Sequence, residues 1–128
     1  MIVDSSAIVA VVLDEPGCEA LIDKLGSADH AGIGAPTLAE TAIVLSARLG
    51  RDARTLLSRF VDEASIEVVP FGEAHFRAAV EAWLRFGKGR HPAALNFGDC
   101  MSYATARLAG QPLLCTGNDF GRTDLPLV

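Results

Sequence analysis

Four acids, Asp4, Glu40, Asp99 and Asp119, stand where a carboxylate can do chemistry. Two β-branched residues, Ile2 and Val3, run straight into Asp4, and Ser5 and Ser6 follow it. That pattern predicts a short buried strand ending at Asp4 and a helix opening at the serines. The carboxyl end of a strand is where ligands sit in an open α/β sheet, and a carboxylate there suits a hard cation. Each acid also has a purely structural use. Asp4 with its serines can cap the helix. Glu40 follows Thr37 at the spacing of a capping box. Asp99, after Asn96-Phe97-Gly98, enters a first helical turn and suits the helix dipole. Asp119 completes a Gly117-Asn118-Asp119 turn, and Asp124 lies nearby in a similar setting.

Together the four positions say more. Asp4 and Asp119 end strands while Glu40 and Asp99 begin helices, and in a parallel α/β sheet these positions share one edge. Carboxylates gathered there without a cation repel, and some must take up protons. A divalent ion removes the conflict. An all-oxygen set suits Mg²⁺ or Mn²⁺ rather than zinc. Such an ion activates water and neutralises charge on a phosphate.

The elements that must position these acids can be read in order. The apolar run from Ser5 to Glu15 predicts a helix that Pro16-Gly17 breaks, and a second spans Cys18 to Leu25, ended by Gly26. Ala31 to Ala35 predicts a short strand. Helices are expected from Thr37 to about Leu49 and from Arg51 to Ala64, and a strand over Ile66 to Val69. Glu73 to Phe86 and Gly98 to Ala109 carry helical patterns. Pro112 to Thr116 predicts a buried strand, with a last short one over Leu125 to Val128. Strands alternating with helices, without hairpin signals, imply an α/β fold with a mostly parallel sheet in one domain spanning residues 1–128.

The formal charge of −5 argues against a protein that coats nucleic acid, but not against an enzyme that acts on it. No run is long enough for a transmembrane helix, and no secretory signal pattern opens the chain. Cys18, Cys100 and Cys115 fit neither a zinc site nor a disulfide framework, and are expected to be reduced thiols in a cytoplasmic protein. His30, His75 and His91 are scattered, which disfavours a histidine-based metal site.

With these residues in place, the sequence resembles the PIN-domain ribonucleases, in particular the VapC toxins of bacterial toxin–antitoxin pairs. The likeness covers nearly the whole chain. It rests on Asp4-Ser5-Ser6-Ala7, on Glu40, on Leu95-Asn96-Phe97-Gly98-Asp99-Cys100 with Tyr103-Ala104, and on Gly117-Asn118-Asp119-Phe120. The resemblance implies a three-layer α/β/α fold, dependence on Mg²⁺ or Mn²⁺, endonucleolytic hydrolysis of RNA, homodimers, and neutralisation by a VapB-like antitoxin whose peptide covers the active groove.

Carried over by position, Asp4, Glu40, Asp99 and Asp119 correspond to the family's acidic quartet. Asp4 and Asp99 are then the main metal ligands, with Glu40 and Asp119 acting through water or orienting the attacking water. Ser6 corresponds to the small polar residue beside the first acid. Asn118 stands where some relatives have a further acid, leaving Asp124 as the spare candidate, and Thr116 stands where a basic residue is common.

Arg85, Lys88, Arg90 and His91 precede Asp99 and are candidates for contact with flanking phosphates, or form a solvated loop. Trp83 and Phe76 are expected in the core or a subunit interface. Ile8, Val9, Val12 and Leu13 suit either dimer or antitoxin contact, or core burial. Three rival readings fit parts of the pattern. A binding module of the same fold would be catalytically silent. A phosphoacceptor signalling domain would need paired acids and a lysine that the chain lacks at the right places. An Asp-x-Asp phosphatase is disfavoured by Ser6.

Overall fold

The computed structural model describes residues 1–128. A parallel sheet of four strands is built from β1 (Ile2–Val3), β2 (Ala31–Gly34), β3 (Ile66–Val69) and β4 (Leu113–Leu114), in the order β3-β2-β1-β4. Each crossover carries two helices. These are α1 (Ser5–Val12) and α2 (Cys18–Ser27), then α3 (Ala35–Leu49) and α4 (Arg54–Glu63), then α5 (Glu73–Phe86) and α6 (Phe97–Ala109). A 3₁₀ turn, Phe120–Arg122, follows β4.

The two-residue period of a strand makes the three layers. Ile2 and Leu113 point into one core with Ala79, Ala82, Phe86, Tyr103 and Ala104 of α5 and α6. Their neighbours Val3 and Leu114 point into a second core with Ile8, Leu21, Leu45, Leu57 and Val61 of α1 to α4. The result is a three-layer α/β/α fold with a parallel sheet. No helix is long and apolar enough to cross a membrane.

Several boundaries differ from the sequence reading. α1 stops at Val12, because Asp14 turns the chain with φ 52° before Pro16 is reached. α2 runs through Gly26 to Ser27. α4 starts at Arg54, whose backbone N–H is accepted by Asp52 Oδ1 at 3.0 Å. β4 is only two leucines, and Leu125 to Val128 contributes a single parallel bridge, Leu127 to Leu113, rather than a strand. Ile8 and Val9 are core residues, whereas Phe76 and Trp83 are exposed and do not enter the core.

The third crossover carries the chain from β3 across to the far side of β1. Strand order therefore reverses between β1 and β4, which is where an open α/β sheet forms its ligand crevice. Asp4 is the residue that leaves β1 at that point.

Candidate active site

Asp4 ends the central strand and caps α1, and is 4% exposed. A carboxylate removed from water needs partners, and Asp4 has them on both oxygens. Oδ2 accepts from the Ser6 backbone N–H at 3.0 Å and the Ser6 hydroxyl at 2.6 Å. Oδ1 accepts from the hydroxyl of Ser102 at 2.5 Å. Ser102 Oγ also lies 3.2 Å from Thr37 Oγ1. Ser6 Oγ in turn accepts the Thr116 backbone N–H at 3.1 Å, beside the Asp4 N–H bond to Leu114 O at 2.9 Å.

Glu40 is not held by a capping box with Thr37. Helix α3 begins at Ala35, two residues before Thr37, so Thr37 is inside the first turn and its hydroxyl faces Ser102. Glu40 falls in the second turn, where Oε1 accepts from Ser5 Oγ at 2.7 Å. Its carboxylate lies against α6 at Gly98, where a Cβ would collide with Oε2.

Asp99 does form a capping box, with Asn96. Asn96 N–H donates to Asp99 Oδ2 at 3.0 Å, and Asp99 N–H donates to Asn96 Oδ1 at 2.9 Å. Asp99 Oδ1 accepts nothing from the protein. Burial pushes the Asp99 pKa from its ordinary 3.8 up to about 6. The Asn96 N–H opposes that shift, and the charges of Asp4, Asp119 and Glu40 add to it. These four acids thus share one electrostatic field.

Asp119 stands exposed at the mouth of the 3₁₀ turn, without a side-chain hydrogen bond, and Asn118 beside it is also exposed. Cys115, at the end of β4, feels the same acids. Burial, then Asp4 and Asp99, push its thiol up to about 11, with Lys24 opposing and Asp119 adding. Cys100 is likewise pushed up to about 11 by burial and by Asp99. Both remain neutral thiols near pH 7, so neither serves as a thiolate nucleophile.

Asp124 is engaged elsewhere. Oδ1 accepts from Tyr103 Oη at 2.7 Å, and Oδ2 accepts from Arg85 at 3.2 Å and Arg107 at 3.3 Å. The Tyr103 hydroxyl is the chief cause that holds its carboxyl below the usual range, with both guanidinium groups assisting. It is absent from the groups that act on Asp99. Arg85 is thereby tied to Asp124. Arg90 lies over the Trp83 ring at 4.9 Å, and its Nε donates to Leu84 O at 3.1 Å. His91 Nδ1 accepts the Ala93 N–H at 3.0 Å and its ring meets Phe86 edge-on. Of these four basic residues only Lys88 is exposed with an uncommitted side chain.

Sequence reasoning misses Ser102 outright and does not foresee that Ser5 and Gly98 contact Glu40 or that Thr37 faces Ser102. A polar residue amid the apolar Cys100, Tyr103 and Ala104 of α6 was the one available signal for Ser102.

The donor set is carboxylate oxygen throughout. Asp99 Oδ1, Glu40 Oε2 and both Asp119 oxygens accept no protein hydrogen bond, and ionised Asp99 is disfavoured first by burial and then by the neighbouring acids. That chemistry fits a hard divalent cation. No three Asp, Glu, His or Cys side chains close around a single point at ligating distance.

Residues 1–125 match the family described as PIN domain. The ribonuclease VapC36 of Mycobacterium tuberculosis is 52% identical over 126 residues, covering 98% of this chain and 91% of that protein. The ribonuclease VapC of Mycolicibacterium smegmatis is 40% identical over 128 residues, covering 100% of this chain and 99% of its own length. Among solved structures, VapC20 of Mycobacterium tuberculosis, described as a toxin cleaving the sarcin–ricin loop, superposes with a TM-score of 0.80 at 20% identity, over 99% of this chain and 97% of that one.

Proposed function

The chain belongs to the PIN domain family, and from that premise we propose that it is a VapC-type endoribonuclease, the toxin of a toxin–antitoxin pair. In this reading it acts in the cytoplasm as a single nuclease domain, hydrolyses RNA phosphodiester bonds with Mg²⁺ or Mn²⁺, and is neutralised by a VapB-like antitoxin. The observation that carries the reading is the shared field of Asp4, Glu40, Asp99 and Asp119 at the sheet's switch point. The names of the ribonuclease relatives support the activity. A toxin–antitoxin complex from Klebsiella pneumoniae shares the fold, with a TM-score of 0.72 at 16% identity over 99% of this chain, and supports looking for an antitoxin.

Asp99 and Asp4 would hold the ion, Asp99 through its free Oδ1. Glu40 and Asp119 would reach it through water, in keeping with the reluctance of Mg²⁺ to shed its waters. When bound, the ion supplies Lewis-acid stabilisation of the phosphate and lowers the pKa of water. The protein's own work is positional. Ser6 and Ser102 fix the Asp4 carboxylate, Ser5 fixes Glu40, and the Asn96 capping box fixes Asp99. Glu40 or Asp119 orients the attacking water.

Lys88 is the free cation for a flanking phosphate, with Arg90 offering the outer face of its guanidinium; His91 braces the loop and Arg85 is tied to Asp124. A homodimer is supported by the exposed apolar Phe76, Val80, Trp83 and Phe97, the last 78% exposed; light scattering measures it directly.

The deciding experiment incubates the purified chain with RNA in Mg²⁺, in Mn²⁺ and in EDTA, beside Asp99→Asn. Discrete cuts that need metal and vanish in the folded variant support the nuclease. Absence of both cutting and metal binding overturns it in favour of a silent binding module.

A further inference from the structure

Ser102 is fully buried in the middle of α6. A mid-helix hydroxyl usually bonds back to its own helix, as two neighbours here do. Thr105 Oγ1 donates to Met101 O at 3.0 Å, and Thr41 Oγ1 donates to Thr37 O at 2.7 Å. Ser102 does not. Its hydroxyl crosses to β1 and donates to Asp4 Oδ1, at the short end of charge-assisted O–H···O⁻ distances. A carboxylate oxygen only accepts, so the single Ser102 proton is committed to Asp4. The 3.2 Å contact with Thr37 Oγ1 must then run the other way, with Thr37 donating to Ser102.

The chain of bonds therefore has one polarity, from Thr37 to Ser102 to Asp4, and Ser6 closes it on the other Asp4 oxygen while accepting from Thr116. Its members also stand in register with the acids. Glu40 lies three residues after Thr37 on α3, Asp99 three before Ser102 on α6, and Asp119 three after Thr116. The network thus touches every element that carries an acid.

We propose that Ser102, with Thr37 behind it, is a positioning residue of the acid site, aiming Asp4 Oδ1 and locking α3 and α6 to the end of β1. This rests on the reading of the acids as a metal centre. Partners in the outer shell of a ligand set its orientation and are worth roughly 10–100-fold in metal affinity.

The test compares Ser102→Ala, Thr37→Val and the double variant with the unaltered protein. Three quantities are read: Mn²⁺ affinity by electron paramagnetic resonance, thermal stability, and the Asp4 carboxyl ¹³C resonance in the metal-free protein. Ser102→Ala is expected to weaken Mn²⁺ binding roughly 10–100-fold, to move the Asp4 resonance and to leave that of Asp119 in place. It also orphans the buried Thr37 hydroxyl. Removing that hydroxyl in the double variant should restore stability while Mn²⁺ binding stays weak, a separation that a merely structural role would not produce. Affinity that rises and falls with stability across the variants overturns the proposal, as does unchanged affinity in Ser102→Ala. If the unaltered protein binds no Mn²⁺, the metal reading fails, and the metal-free resonance still decides: a moved Asp4 signal supports positioning by Ser102, and an unmoved one overturns it.

Discussion

Gly98 faces Glu40 so closely that a methyl group at position 98 would occupy the space of the Glu40 carboxylate. Alanine is the better helix former by up to about 1 kcal/mol, and the displaced group is the far end of a flexible side chain. Gly98→Ala is therefore expected to fold with unchanged or higher thermal stability, while RNA cleavage falls at least tenfold as Glu40 is pushed from Ser5. Melting curves beside cleavage rates check both halves. Full activity would mean that the position of Glu40 does not matter.

Asp99 carries a pH signature. Its folded pKa of about 6 lies above the ordinary 3.8, so ionising it costs stability in the folded protein. Between these two values the folded state binds the extra proton. Its cost is therefore absent below about pH 4, grows as pH rises, and is complete above about pH 6. Asp99→Asn keeps a capping oxygen for Asn96 and is expected to raise Tm at pH 7.5 by about 3–6 °C, the effect of about 1 kcal/mol on a domain of this size. The gain should shrink as pH is lowered toward 4. Mg²⁺ should raise Tm of the unaltered protein but not of the variant. A gain that grows toward acid pH would reverse the assignment.

Asp119 and Asp124 are separable by what each one loses. Asp124 clasps Tyr103, Arg85 and Arg107, so Asp124→Asn should cost about 1–2 kcal/mol once solvent screening of these partly exposed pairs is allowed for. Its cleavage rate at 25 °C should persist. The depressed carboxyl pKa makes this contribution present at neutral pH and lost as pH falls through the acid range. Asp119→Asn should do the opposite, leaving Tm nearly unchanged and lowering cleavage. Denaturant melts with parallel rate measurements distinguish them, and cleavage lost in Asp124→Asn alone would return Asp124 to the acid site.

Lys88 is the side chain of the 87–92 loop with no bond to leave. Lys88→Ala should raise KM without changing kcat and reduce the salt slope by about one ion. Arg85→Ala should instead act mainly on stability, through Asp124. An unaltered salt slope in Lys88→Ala would remove Lys88 from RNA contact.

How much of this was legible in the sequence depends on the range of the interactions involved. Helix Glu73–Phe86 was readable to the residue because its apolar stripe is local. The strand ends were less so. Pro112 to Thr116 looks like a strand throughout, yet pairing stops after Leu114, where the ladder with the short β1 ends. Thr37 and Glu40 have capping-box spacing but no capping box, because Pro36 lets the helix start earlier, at Ala35. Asp124 looks interchangeable with Asp119 because each follows a short polar segment containing one glycine. The arginines that claim Asp124 lie 39 and 17 residues away. Ser102 meets Asp4 across 98 residues, and no local pattern encodes that meeting.

The position of β1 at the centre of the sheet has a consequence for a chain made from its N-terminus. Asp4 is synthesised 98 residues before Ser102, its partner on Oδ1. Ser102 must arrive to meet one oxygen, and Leu114 and Thr116 must arrive to lock its backbone and Ser6. A nascent chain short of Leu114 lacks the bonds that fix the Asp4 backbone and the Ser6 hydroxyl. Because synthesis runs from the N-terminus, the bonds that aim Asp4 form only after Ser102 and Thr116 have emerged.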